Sequence, residues 1–316
     1  MRDLVFLEEI ERRLIKKSIV YAVITVKTEG YVPGGEKSKM IVSGEAPVWG
    51  TIGGGQNEYD IIHHCNNLLK RKADKGELKE FDLSNHHESG MICSGKKSVI
   101  FIPFQTKNIE MISAAIRQVK NGGKVWFSFT EEGIKEISEM TNSEGLFRKN
   151  NKWDYIECIG YYDFLYIIGG GHVSRALSEI VQHLDFYITV FDDRNNVPTM
   201  MENRFCHKKH VIHYGEILKY IPKNKKNYIT IMTFGHKSDQ LVLEQLADFE
   251  FHYLGMMASL PKRDEIYRNL IKKGIKTDYL NRISSPIGVP INSQTPREIA
   301  VSIAAELIKV KNTQKE

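Results

Sequence analysis

Cysteine is scarce in this 316-residue chain: Cys65, Cys93, Cys158 and Cys206 are the four, and no two stand in a C-x-x-C pair. That argues against a structural zinc site and leaves no ligand cluster for iron–sulfur centres. Long apolar runs are missing too. None approaches the roughly 18 residues that span a bilayer. The opening stretch MRDLVFLEEIERRLIKK mixes acids, bases and apolar residues and has no signal-peptide core. A cytoplasmic protein with reduced thiols and no membrane partner is the expectation. An excess of one charge is also lacking. Forty-four basic and 39 acidic residues leave a net +5 with the basic residues scattered, so no nucleic-acid partner is indicated. Repeats of solenoid length are absent.

What is present divides into two patterns. In the first half, Leu4, Leu7, Ile10, Leu14 and Ile15 recur at helical spacing, and IVYAVITVKT reads as a buried strand. Short strands follow at SKMIVSG and PVWGTIG. A helix runs to Lys70, a strand covers KSVIFIPF, a helix runs from Ile109 to Val119, and a strand covers GGKVWFSFT. From about Tyr161 strands and helices alternate regularly: FLYIIGG, HVSRALSEIVQHL, FYITVFDD, a short strand at HVIHY, NYITIMTF, SDQLVLEQLAD, FHYLGMM and LPKRDEIYRNLIKK. Alternation implies a parallel sheet with helices on both faces. The fold class is therefore α/β: a mixed α+β N-terminal domain over 1–150, then a Rossmann-like doubly wound parallel sheet over 151–316. The polar stretch 142–154 reads as the linker.

Two glycine triplets each lead into a helix. Gly53, Gly54 and Gly55 precede one, and the triplet 169–171 precedes the other. Without a Cβ, backbone amides approach a bound group closely, and a helix start behind them favours an anion. Two such entries suggest two surfaces meeting around one anionic ligand. The second is the more specific. Gly169 and Gly171 follow a buried strand, small Ser174 occupies the third fingerprint position, and Asp192 ends the next strand, 21 positions after Gly171, where a carboxylate meets a ribose hydroxyl. His172 is either a helix-start residue or a contact to a phosphate or metal-bound oxygen. Strand-end loops add His236 and Asp239 from TFGHKSD, and Ser259, Lys262 and Arg263 from GMMASLPKR. Each has a bland role as a cap or solvated charge, and their joint position at strand ends points to a site.

In order along the chain, AVITVKTEGYVPGGEKSKMIV, WGTIGGGQNE, GMICSGKKSVIFIPF, GGGHVSRAL, VFDDR, TFGHKSD, YLGMMASLPKR and PIGVPINSQTPREIAVSIAAELI resemble the XdhC/CoxI family of accessory proteins for xanthine dehydrogenase and related molybdenum hydroxylases. The resemblance implies binding of the molybdenum cofactor (molybdopterin), help with its sulfuration and insertion, a hydroxylase partner with a cysteine desulfurase as a further one, and a homodimer. Some related proteins serve selenium-dependent hydroxylases. Two departures stand out: Ser94 replaces a glycine of the family's C-G-G, and Phe234 replaces the arginine of T-R-G-H.

Cys93 is the candidate active thiol. Lys96 and Lys97 are close in sequence and favour a thiolate, a soft partner for molybdenum or transferable sulfur; the alternative is a small apolar residue at a strand start. Cys65, beside His63 and His64, and Cys158 and Cys206 read as packing residues. No metal-ligand set is assigned. The implied role is a maturation factor more than a catalyst. The rival reading is an NAD(P)-dependent oxidoreductase using the same loop and Asp192, and a third is a dinucleotide-sensing module without chemistry.

Overall fold

The computed structural model describes residues 2–16, 19–44, 46–83, 94–138, 143–161, 163–223 and 226–313. The chain forms two compact units, Arg2–Gly160 and Tyr161–Glu316.

The first unit contains α1 (Arg2–Leu14), β1 (Ile19–Tyr31), β2 (Lys39–Val42), β3 (Trp49–Gly50), α2 (Gly55–Lys70), β4 (Glu77–Asp82), β5 (Ser94–Gln105), α3 (Ile109–Lys120), β6 (Lys124–Thr130), β7 (Gly133–Ile137), β8 (Gly145–Lys149) and β9 (Lys152–Gly160). Its strands make two antiparallel sheets, ordered β3-β2-β1-β5-β4 and β7-β6-β9-β8. The β-branched run of β1 is buried on both faces, which is why it reads as continuous rather than alternating. One face packs Tyr21, Val23, Val99 and Phe101 against Ile61, Cys65 and Leu68 of α2. A buried charge cluster ties the unit together: the Lys39 ammonium donates to Asp3 of α1 at 2.6 Å and to Glu157 of β9 at 2.7 Å.

Stretch 142–154 is not a linker. Its described part holds β8 and the start of β9, joined by a tight turn in which Asn150 and Asn151 have φ 50° and 61°. Asparagine tolerates that left-handed backbone, so an exposed hairpin carries the same composition as a linker. The boundary accordingly falls after Gly160 rather than after residue 150, because β9 pairs along its length with β6.

The second unit contains β10 (Asp163–Ile168), α4 (His172–Val181), β11 (Phe186–Asp192), α5 (Pro198–Met201), β12 (Lys208–Val211), β13 (Asn227–Ile231), α6 (His236–Gln245), β14 (Tyr253–Met256), α7 (Leu260–Lys272), α8 (Thr277–Asn281) and α9 (Pro296–Asn312). All strand pairs are parallel, in the order β12-β11-β10-β13-β14. Counted within the sheet this is 3-2-1-4-5, the Rossmann order, with its reversal between β10 and β13. Successive residues of β10 supply opposite cores. Leu165 and Ile167 join Leu177 of α4 and Ala300, Ile303 and Leu307 of α9, while Tyr166 and Ile168 join Leu243 of α6 and Ile266 of α7. The expected α+β unit followed by a Rossmann-like unit is what the structure shows. Helix α9 starts from a capping box between Thr295 and Glu298 with Pro296 in its first turn.

Beneath the sheet, the Ile188 amide donates to His207 Nδ1 at 3.0 Å, which leaves Nε2 to share a hydrogen with the Tyr161 hydroxyl at 2.8 Å. The ring stacks on Tyr187 at 4.5 Å between centroids. Burial pushes the His207 pKa down to about 4. The unfolded chain therefore takes up this proton first as pH falls, so the stabilisation is complete above the ordinary histidine value and is lost down to about pH 4. We expect this unit to lose about 2 kcal/mol between pH 7 and 4.5 through His207. Thermal unfolding of the wild type and His207→Gln at both pH values checks this, and equal pH slopes would exclude it.

Candidate functional site

Ligands of open parallel sheets lie beyond the carboxyl ends of the strands at the point of reversal. Here that point is flanked by the 169–171 loop after β10 and by Thr233, Phe234 and Gly235 after β13. Gly169 has φ +110°, and a Cβ on it would stand 2.2 Å from the Met232 carbonyl oxygen, so only glycine lets the two loops close up. Gly170 faces the Met200 side chain, and the Thr199 hydroxyl donates to its carbonyl at 2.6 Å. Gly171 differs: it is the N-cap of α4, and a Cβ there would meet nothing within 4 Å. Its side is open where a ligand would lie.

Asp192, at the end of β11, is completely buried. The Gly170 amide donates to its Oδ2 at 2.7 Å, and Arg194 grips both oxygens through Nε at 2.8 Å and Nη2 at 2.9 Å, with the Arg194 amide adding a bond of 3.0 Å. Burial alone would raise this carboxyl, but the guanidinium and the two amides outweigh it and hold the pKa below the ordinary aspartate value. Asp192 was expected to meet a ribose hydroxyl. In the structure its donors come from the protein, and its role is to hold the glycine loop and to orient Arg194. The guanidinium lies over the Phe234 ring, 5.4 Å from its centroid.

A second buried aspartate organises the next strand ends. Asp239, in the first turn of α6, accepts from the Thr233 hydroxyl at 2.6 Å, from the Thr233 amide at 3.2 Å and from the Lys262 ammonium of α7 at 2.6 Å. Asp239 is fully buried, and Lys262 keeps 30% of its side chain exposed. The pair joins the loops after β13 and β14 and presents one oriented cation at the carboxyl edge. His172 and His236 open α4 and α6, the helices that follow the two strands at the reversal, and both are exposed. Ser259 is the exposed N-cap of α7. Among the described residues, no hydrogen bond joins His172, His236 or Ser259 to the Asp239–Lys262 pair. His172 lines a cleft of about 590 Å³ with Arg175, Phe205, Thr295 and Arg297. Arg263 turns to the Ser285 carbonyl and Asp264.

The first glycine triplet, expected to hold an anionic part of the ligand, already holds a carboxylate of its own chain. Glu58 of α2 accepts from the amides of Ile52 and Gly54, each at 2.9 Å, and from the Thr51 hydroxyl at 2.6 Å. Partial burial would raise the Glu58 carboxyl, and these three donors together with the Lys97 charge bring it below the ordinary value. Gly53 is required by packing, since a Cβ would stand 2.1 Å from the Pro33 carbonyl oxygen. Gly54 and Gly55 are the N-cap and first residue of α2. An acid in the first turn of a helix is favoured by the helix N-terminus, a signal that points to Glu58 in the sequence itself.

Cys93, with His86 and His87, lies outside the described residues. Of its two neighbouring lysines, Lys97 is buried and donates to the Ile52 carbonyl at 3.1 Å, and Lys96 stands 3.7 Å from Asp82. Cys65 and Cys158 are buried and Cys206 partly so, and burial pushes the thiols of Cys65 and Cys206 up, as packing residues require. No group of three histidine, cysteine or acidic side chains that could hold a metal occurs among the described residues. Nor is any described helix long and apolar enough to cross a membrane.

Residues 165–307 match the family described as the XdhC Rossmann domain. A protein of Escherichia coli (strain K12) named "Uncharacterized protein YqeB" is 30% identical over 159 residues, which are 50% of this chain and 29% of that protein. The chain thus spans less than a third of that relative's length. A crystal structure described as a xanthine dehydrogenase from Bacillus halodurans superposes with a TM-score of 0.76 at 21% identity, covering 99% of this chain and 97% of that one. At that identity the likeness establishes a shared fold.

Replacing Asp192 with alanine would leave the buried Gly170 amide without its acceptor and Arg194 without its anchor. We expect Asp192→Ala to lower stability by about 2–3 kcal/mol and to speed hydrogen exchange at the Gly170 amide. Unchanged exchange at that amide would refute the anchoring role.

Proposed function

We propose that this chain, which belongs to the XdhC family through its Rossmann domain, is a maturation factor that binds molybdenum cofactor and delivers it to a xanthine dehydrogenase-type hydroxylase. The observation that carries the proposal is the 169–171 loop at the sheet reversal, closed around Gly169 and Asp192 yet open on the Gly171 side. An oriented lysine stands at the neighbouring strand ends. These groups fit the phosphate-bearing end of molybdopterin: the start of α4 offers amide hydrogens, and Lys262 supplies a cation held by a buried carboxylate. When bound, the cofactor would supply a molybdenum centre held by its own dithiolene. The chain's residues bind and orient it.

The sulfur-handling part of the reading rests on Cys93 by sequence alone, because the thiols of Cys65, Cys158 and Cys206 suit packing. A cysteine desulfurase as sulfur donor, and a second copy of this chain, complete the proposed set of partners. The NAD(P)-dependent oxidoreductase reading has less support: the carboxylate expected to meet a ribose hydroxyl already accepts from Gly170 and Arg194.

Gly171→Val separates ligand binding from folding, since the added branch projects into open space. Stability should stay within about 0.5 kcal/mol of wild type, while molybdopterin retained per protein, read by pterin fluorescence after extraction, falls at least about tenfold, roughly the effect of losing 1.4 kcal/mol. Equal retention in both proteins would exclude the loop as the cofactor site. Cys93→Ala should retain the fold and lose hydroxylase reconstitution, with Cys158→Ala and Cys206→Ala as comparators. Wild-type reconstitution by Cys93→Ala would remove the thiol from the reading.

A further inference from the structure

Phe234 is 89% exposed, although it stands in the tight loop after β13. A single exposed apolar side chain needs no partner by itself; what matters here is what stands beside it. Its neighbour is unusual in a second way. Arg194 follows β11, so strand β10 lies between the elements that supply the two side chains. Their contact at 5.4 Å therefore spans the end of β10, where the 169–171 loop begins. Arg194 cannot swing freely, because both oxygens of buried Asp192 hold its guanidinium in a fixed plane. About 44% of the Arg194 side chain nonetheless stays exposed. A held cationic plane and a bare aromatic ring thus stand together at the sheet reversal.

We infer that Phe234 and Arg194 form a stacking platform for a planar nitrogen heterocycle, a purine or a pterin, whose phosphate chain runs onto the 169–171 loop. The inference rests on the proposed reading of that loop as a phosphate site, and it assigns the ring end of the ligand. Aromatic and guanidinium planes both accept heterocycles by stacking, with little demand on the identity of the ring. The ligand's negative charge adds attraction to Arg194 and to the amides opening α4. A bare aromatic face beside one held cation favours a ring-bearing anion over a bare one. The same placement leaves the fold indifferent to Phe234, which makes the side chain a clean target.

The test uses the full chain and three probes in titration calorimetry: ADP, neopterin triphosphate and inorganic pyrophosphate. Wild type should bind at least one ring-bearing probe more tightly than pyrophosphate, and the stronger of the two identifies the source of the ring. Phe234→Ala should weaken that probe by about tenfold, within the range measured for loss of one base–aromatic stack, and leave pyrophosphate unchanged. Phe234→Trp should restore binding. If Phe234→Ala changes ring-bearing and bare probes alike, or changes neither, or if wild type binds none of the three, the platform is refuted. Gly171→Val distinguishes the two proposals. Weakened binding of all three probes supports the phosphate loop, whereas a Phe234 effect without a Gly171 effect would refute the loop and leave the platform standing.

Discussion

A fully buried carboxylate survives only with a full set of donors, and Asp192 finds them all locally. One comes from the Gly170 amide, the others from the amide and guanidinium of Arg194. This arrangement couples the loop after β10 to the end of β11. It sets the shape of the glycine loop, and it also sets the plane in which Arg194 meets Phe234. The conformation of the loop after β10 and the position of the Arg194 guanidinium both depend on that one charge. The fingerprint acid of such folds ordinarily meets a ribose; in this chain it accepts from the Gly170 amide and from Arg194.

The Asp239–Lys262 pair repeats the device one strand further along. Asp239 ties Thr233 to α6 and holds the α7 lysine at the carboxyl edge of the sheet. The carboxyl ends of successive strands are thereby braced by buried aspartates, each of which presents one cation. Such bracing limits the conformational freedom of a charged side chain before any ligand arrives, which lowers the entropy lost on binding.

The two glycine triplets show how similar sequences diverge in use. Both precede a helix, and both have amides able to cradle an anion. In the first unit Glu58 occupies that cradle from within, and Gly53 exists because the Pro33 backbone passes too close for a side chain. In the second unit Asp192 takes one amide of the triplet, that of Gly170, and a Cβ on Gly171 would meet nothing within 4 Å.

Much of the architecture was legible in the residues. The β-branched runs of β1, β10, β11 and β13, each bounded by turns, specified buried strands, and regular alternation after Tyr161 specified a parallel sheet, because periodicity is a local property. The hairpin of β8 and β9 was not legible, since two asparagines in a tight turn have the composition of a linker. The sequence by itself determined which residue types stand at the strand ends: glycines, Asp192, Asp239, Lys262 and the histidines. Only the tertiary structure decided where their polar atoms go. It turned Asp192 and Glu58 inward, paired Asp239 with Lys262, brought Arg194 across to Phe234 and left His172 on a separate cleft. The physical reason is that a carboxylate binds whichever donors the fold brings within about 3 Å, and that choice rests on contacts between residues far apart in the chain.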